Sequence, residues 1–216
     1  MRKIVCKICG NDVQTIRDQQ FDMCYYYCEY CEFIFIDERG ILSKEEELQQ
    51  YELHENSIEN EGYVNMFKRF IEKSIIPYKD NIRNGLDFGC GPGPVLAELL
   101  KREGLQVDIY DPYFAPEKVF ESKRYDLITS TEVFEHLKEP IETLKLLKEH
   151  LNDKGILAIM TLFHPNNEEK FKKWWYRRDP THISFYTPRT FRYLANKFHM
   201  DVLKIDQKNI CVLQNC

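Results

Sequence analysis

From residue 62 onward, apolar residues recur with two alternating periods. In "YVNMFKRFIEKSIIPY" they fall three and four apart, which predicts an amphipathic helix ended near Pro77. Strands are then predicted at "GLDFG", "LQVDIYD", "YDLITS" and "GILAIMT". Helices are predicted at "PVLAELLKREG", "PIETLKLLKEHL" and "PRTFRYLANKF". The pair "MDVLKID" and "NICVLQ", joined by "QKN", reads as a hairpin. Strands alternating with helices predict an α/β fold with a doubly wound, mostly parallel sheet closed by an antiparallel last strand.

Two stretches precede this pattern. Residues 1–37 hold five of the eight cysteines and several aromatics. Residues 37–61 carry nine Asp/Glu against Arg39 and Lys44, the composition of a solvated helix face or linker. The expected organisation is a small module over 1–37, a helical linker or flap over 38–83, and a main domain over 84–216. An aromatic and basic insert at about 163–188 is expected to act as a lid on that domain.

Composition narrows the class. With 43% hydrophobic and 30% charged residues, the 216-residue chain is an ordinary globular protein. A net charge of −5 argues against general attraction to nucleic acid or anionic membrane. No apolar run approaches membrane-spanning length, and "MRKIVCKICGND" lacks the apolar core of a signal peptide. The cytoplasm is the expected compartment, where cysteines suggest metal or reactive thiols before disulfides.

The stretch "GLDFGCGPGP" places a glycine loop between a strand and a helix, where backbone amides meet a ligand. No Lys-Ser/Thr follows, so it is not a nucleoside-triphosphate loop. Pro94 stands where the dinucleotide fingerprint needs glycine, and it suits the first helical position instead. Asp87, two residues before the first glycine, favours a ligand bearing an ammonium group over a pyrophosphate. Asp111, about 20 residues beyond the loop, is placed to accept hydrogen bonds from both ribose hydroxyls.

Taken together, "LDFGCGPG", "VDIYDP", "YDLITSTEVFEHLKEP" and "LNDKGILAIMT" resemble the successive motifs of class I S-adenosylmethionine-dependent methyltransferases. With the four-cysteine module and "DPTHISFY", the chain resembles a bacterial group within that superfamily. The resemblance implies a Rossmann-like sheet and S-adenosylmethionine as cofactor. It implies that Asp87, Gly89, Cys90 and Gly91 surround the methionine part, that Asp111 holds the ribose, and that Ser130, Thr131 and Glu132 line the other side. One departure is plain. Thirteen residues separate Asp111 from Tyr125, too few for the usual helix and edge strand. A short or missing edge strand is expected, with Tyr110, Pro112 and Tyr113 covering the adenine.

The cysteines of "CKIC" and "CEYC" form CxxC–x18–CxxC, which predicts a zinc ribbon with Cys6, Cys9, Cys28 and Cys31 as ligands. Gly10 suits the turn after the first pair, whereas Glu32 occupies the place of a glycine after the second. Cys24 is a possible competitor; Cys90, Cys211 and Cys216 read as incidental thiols. Such a closed thiolate site supports folding or docking and leaves no position for catalysis.

Methyl transfer to a hydroxyl or amine needs a positioned acceptor and a base. His182 is the chosen catalytic residue, oriented by Asp179, with Tyr186 sharing the acceptor's hydrogen bond. His164 is placed near the cleft, and His136 is read as a loop brace. Tyr51 and His54 are expected in a flap over the cofactor, with Asn56 and Tyr63. A small polar metabolite, held by Arg177, Arg178 and the aromatic lid, is the expected substrate. Two alternatives stand beside it: an RNA methyltransferase stacking a base on Trp174 or Trp175, and a non-catalytic adaptor that binds S-adenosylmethionine and recruits a partner through the ribbon. Residues 1–37 hold four Lys/Arg and six Asp/Glu, which disfavours phosphate gripping by the ribbon. The oligomeric state is left open.

Overall fold

The computed structural model describes residues 4–53 and 57–216. Two sheets organise it. The first begins with an N-terminal meander of β1 (Gln14–Asp18), β2 (Met23–Tyr27) and β3 (Ile34–Ile36), all antiparallel. Next comes α1 (Lys44–Tyr51), started by a capping box between Ser43 and Glu46. The amphipathic helix α2 (Glu61–Ser74) follows, capped by Asn60 and succeeded by a 3₁₀ turn that contains Pro77.

The main sheet is built from β4 (Asn84–Phe88), β5 (Gln106–Tyr110), β6 (Tyr125–Thr131), β7 (Leu151–Met160), β9 (Met200–Ile205) and β10 (Ile210–Asn215). Its order is β5-β4-β6-β7-β10-β9. The first four strands run parallel, β10 runs antiparallel to β7, and β9 antiparallel to β10. Helices α3 (Val95–Arg102), α4 (Pro140–Glu149) and α6 (Pro188–Lys197) connect the strands. Alternation along the strands sorts the core: Leu127, Ile156 and Ala158 pack with Phe67, Phe70 and Leu96 of α2 and α3. Ile128, Leu157 and Ile159 pack with Leu144, Leu147, Phe191 and Leu194 of α4 and α6. The helices thus cover both faces, as a doubly wound sheet requires.

The chain order reverses at β4, flanked by β5 and β6, so a crevice opens beyond its carboxyl end. Residues 112–124 form neither helix nor strand, and β5 ends the sheet. The missing edge follows from loop length alone.

The expected lid is more ordered than its composition suggests. It contains α5 (Glu168–Lys173), a 3₁₀ turn (Trp175–Arg178) and β8 (Ser184–Phe185). Strand β8 pairs with β3, so the insert supplies the fourth strand of the N-terminal sheet. Buried Cys6, Ile8, Cys28, Cys31 and Phe33 share one continuous core with Phe134, Tyr186 and Phe191 of the main domain. The N-terminal module is therefore bound to its own lid.

Glu32 explains its departure from glycine at this seam. It adopts φ 60°, a left-handed conformation costing about 1–3 kcal/mol in a non-glycine residue. In return its carboxylate accepts from Thr187 Oγ1 at 2.9 Å and lies 3.5 Å from Arg189. Thr190 Oγ1 donates to the Cys31 carbonyl, and His164 Nε2 donates to the Glu32 carbonyl. His164 is thereby placed at the seam between ribbon and sheet, away from the cleft. Pro94 is the residue before α3 rather than its first residue.

Candidate functional site

The crevice beyond β4 is a cavity of about 740 Å³. Its floor is the glycine loop. Gly89 and Gly91 have φ 83° and 66°, conformations that favour glycine. A Cβ on Gly89 would stand 2.2 Å from Val133, so the close approach of the β6 loop also requires glycine there. The amides of Gly89 and Cys90 donate to the Tyr110 carbonyl, tying the loop to the end of β5.

Asp87, at the end of this parallel core, is buried and accepts from Thr129 Oγ1 at 2.9 Å. Burial raises its carboxyl to about 7. Asp111 Oδ2 accepts from Gly91 N at 3.0 Å, and Oδ1 accepts from Tyr113 N and Phe114 N at 2.9 and 3.1 Å. A carboxylate offers about four acceptor positions. Asp111 therefore keeps about one acceptor position open toward the cavity.

The opposite lining comes from the loop after β6 and from the lid. Glu132 has φ 52°, and burial beside Glu135 pushes its carboxyl well above the ordinary range. Tyr176 donates a short hydrogen bond to Glu135 and lies 3.1 Å from Glu132 Oε2. Burial raises the Tyr176 phenol well above its usual value, so it stays a donor. His182 Nδ1 lies 2.7 Å from the Tyr176 carbonyl, and His136 Nδ1 lies 3.0 Å from the Thr181 carbonyl. A carbonyl only accepts, so Nδ1 is the protonated nitrogen in both rings. Burial lowers the His182 pKa, leaving a neutral ring whose Nε2 lies 3.8 Å from Asp179 Oδ2.

Helix α1 closes one side of the cavity. Lys44, Glu47 and Tyr51 line it, and both Tyr51 and Tyr113 donate to Glu47. Tyr51 packs against His136 with ring centroids 5.3 Å apart. Met66 and Phe67 of α2 complete that side.

Of the residues singled out from sequence, Asp87, Gly89, Cys90, Gly91, Asp111, Pro112, Thr131, Glu132, Tyr51 and His182 line this cavity together. His54 lies outside the described residues. Ser130 is buried and does not line the cavity. Its neighbours Thr129 and Thr131 occupy the alternate face of β6, which is the one turned to Asp87 and the crevice. Tyr186 is fully buried and donates to the Phe134 carbonyl at 2.9 Å, so it does not share an acceptor's hydrogen bond. Arg177 is also removed from the cleft. It is buried in an ion pair with Asp18 of the ribbon, and its Nε donates to the Phe171 carbonyl. Trp174 packs against Tyr176 and Phe185, whereas Trp175 lines the cavity and is 64% exposed. Glu135, Tyr176 and Glu47 join this site although no expectation from sequence names them. The spacing Glu132-x-x-Glu135-His136, three polar groups in a buried turn, was the available signal.

The four paired cysteines gather as their spacing predicts. Cys6 and Cys31 Sγ lie 3.5 Å apart and Cys9 and Cys28 Sγ 3.3 Å apart, with all four within 4.8 Å of one another. A tetrahedral zinc site, with Zn–S near 2.3 Å, spaces its sulfurs by about 3.8 Å. Gly10 N donates to Cys6 O and Glu32 N to Cys28 O, the turns that bring each pair together. Cys24 is not part of the group. The residues fit the metal.

Comparisons with known proteins agree with this architecture. No curated protein matches the sequence. Among solved structures, the plantazolicin methyltransferase BpumL, in complex with a monoazolic desmethylPZN analog and SAH, aligns at TM-score 0.53 and 15% identity. That alignment covers 80% of this chain and 90% of BpumL. The mitomycin 7-O-methyltransferase MmcR aligns at TM-score 0.54 and 13% identity, over 72% of this chain and 55% of that one. An O-methyltransferase family protein from Burkholderia thailandensis aligns at 0.52 and 13%, over 70% and 55%. The chain thus spans about half the length of the latter two. At these identities the likeness is one of fold. A family described as a methyltransferase domain matches residues 58–205, from just before α2 to the end of β9, which takes in the glycine loop and the four parallel strands, and the chain belongs to that family.

Proposed function

We propose that this protein is an S-adenosylmethionine-dependent methyltransferase acting on a small polar acceptor. The observation that carries this reading is the joining of two different walls in one crevice. One is a bare glycine loop with Asp87 and Asp111; the other is a polar wall of Glu132, His136 and His182. The first suits a zwitterionic nucleoside, with Asp87 beside the ammonium group, Asp111 at a ribose hydroxyl, and Pro112 and Tyr113 against the adenine. The second suits an acceptor hydroxyl or amine held for in-line attack. His182 stands in that wall and helps position the acceptor.

The N-terminal module is a structural zinc ribbon with Cys6, Cys9, Cys28 and Cys31 as ligands. Zinc here holds the partner sheet of the lid and takes no part in the chemistry. The proposed plan of 1–37 ribbon, 38–83 flap and 84–216 catalytic domain is consistent with α1 lying over the crevice. Arg177, the residue best suited to grip phosphate, is spent on Asp18, which favours a small acceptor over RNA. The pairing of β3 with β8 within one chain weakens the adaptor reading, since that ribbon edge is already used.

SAH should raise the melting temperature, because a ligand binding only the native state stabilises it by mass action. Gly91→Val, which forces a branched side chain into φ 66° at the cofactor floor, should abolish the shift. A shift produced by NADH and not by SAH would overturn the reading.

A further inference from the structure

We infer that Glu135, His136 and His182, with Glu132 beside them, form a binding site for one divalent cation in the wall of the cleft. One ligand atom from each of Glu135, His136 and His182 lies within 4.8 Å of the other two. Glu135 and His136 come from a single 3₁₀ turn after β6, and His182 from the lid. The site is therefore assembled only when the lid is seated.

Three features point to a cation. Both imidazoles commit Nδ1–H to a backbone carbonyl, at Thr181 and Tyr176. That fixes Nε2 as the nitrogen with the lone pair, the arrangement by which proteins orient metal-binding histidines. Glu135 is fully buried; its Oε1 accepts from Tyr176, and its carboxyl also faces that of Glu132. Two buried carboxyls side by side repel when both are ionised, and a cation between them removes that cost. Finally, Glu132 adds a second carboxyl group, 3.1 Å from the same Tyr176 hydroxyl.

Two imidazole nitrogens with carboxylate oxygens suit Mn²⁺, Fe²⁺, Co²⁺ or Zn²⁺ better than Mg²⁺ or Ca²⁺. The set differs in kind from the thiolates of the ribbon, so the two sites take their ions independently. In a six-coordinate ion these residues leave two positions, and Glu132, His136 and His182 all face the cavity. An acceptor with a hydroxyl beside a second oxygen, such as a vicinal diol, a catechol or a hydroxy acid, fills both. This extension rests on the methyltransferase reading. The hydroxyl proton leaves to solvent water, the O–CH₃ bond forms as the S–CH₃ bond breaks, and the electron pair passes to sulfur, giving a neutral thioether. His182 is then a ligand and not the proton acceptor.

The test uses the full chain with its ribbon zinc-loaded. Mn²⁺ is titrated and the free aquo ion followed by electron paramagnetic resonance. One Mn²⁺ per chain should bind, and Glu135→Gln and His182→Gln should each weaken binding by at least about tenfold. Because Glu135 is fully buried, its variant can disturb the turn; His182→Gln, on the lid, is read alone if Glu135→Gln loses the SAH shift. Absence of Mn²⁺ binding in the parent protein, or binding unchanged in His182→Gln, overturns the inference. Failure of SAH to shift the parent's melting temperature counts instead against the methyltransferase reading and leaves the Mn²⁺ result to stand by itself.

Discussion

Asp87 shows how one buried carboxyl can tune cofactor binding. Burial, the largest influence on it, raises the group to about 7, while Thr129 and the Ala97 amide act in the opposite sense. In the unliganded protein the folded pKa thus lies above the unfolded value of about 3.9. Its contribution to stability is present below about pH 4 and is lost as pH rises through about 7. An ammonium group placed beside Asp87 favours the carboxylate, so binding below pH 7 expels a proton. SAH affinity should therefore tighten as pH rises from about 6 to about 8 and level off above. Calorimetry in two buffers of different ionisation enthalpy counts that proton directly. Asp87→Asn should flatten the profile and weaken binding about tenfold or more. An affinity indifferent to pH in the parent protein would place the ammonium group elsewhere. The same scale shows what residue patterns conceal. His182 and Tyr186 sit four apart in one aromatic stretch, yet His182 lines the cavity and Tyr186 is sealed in the core. Nothing local separates them; the pairing of β8 with β3 does.

At the scale of elements, the ribbon and the lid are one structural unit. The ribbon's cysteines belong to the same core as Phe134 and Phe191, and β8 completes its sheet. A small four-cysteine module standing apart from the main domain would unfold on metal loss while the sheet survived. The shared core argues for a different outcome. Purified protein should carry one ribbon zinc per chain. Cys28→Ser, or strong chelation, should lower the melting temperature in one cooperative transition, because metal binding here is folding free energy. Limited proteolysis should then cut first between about residues 165 and 185, where the lid loses its partner strand. A metal-free protein with unchanged melting temperature and an intact lid would refute the zinc assignment. Two separate transitions would instead restore the autonomous ribbon. The contrast with residues 112–124 is instructive. Their lack of an edge strand could be read from length, since thirteen residues cannot hold a helix and a strand. The β3–β8 pair joins Ile34 to Phe185 across the chain, and no local pattern announces it.

For the whole molecule, the alternation of strands and helices was legible because short β-rich segments alternate with segments of helical period, while the cleft's second wall was not. That wall is made by distant segments meeting: α1 from the acidic stretch, the Glu132–His136 turn, and the lid from 175–182. Their meeting also bears on substrate size. Helix α1 is held over the crevice through Glu47, which accepts from Tyr51 and Tyr113. Lys44 is the one Lys or Arg among the described cavity-lining residues, against Glu47, Asp87, Asp111, Glu132 and Asp179. A polyanionic strand entering that opening would meet net negative charge, which opposes the phosphate contacts that dominate nucleic-acid affinity. A compact acceptor carries no such penalty. Incubation of the protein with methyl-labelled S-adenosylmethionine and a cell extract should therefore label material that passes a small-pore filter and survives both ribonuclease and protease. The label should also disappear with Gly91→Val, which ties it to the glycine floor and not to a contaminating activity. Retention of label above the filter with loss to ribonuclease would reverse the substrate assignment in favour of RNA, and would require α1 to move aside to admit the strand.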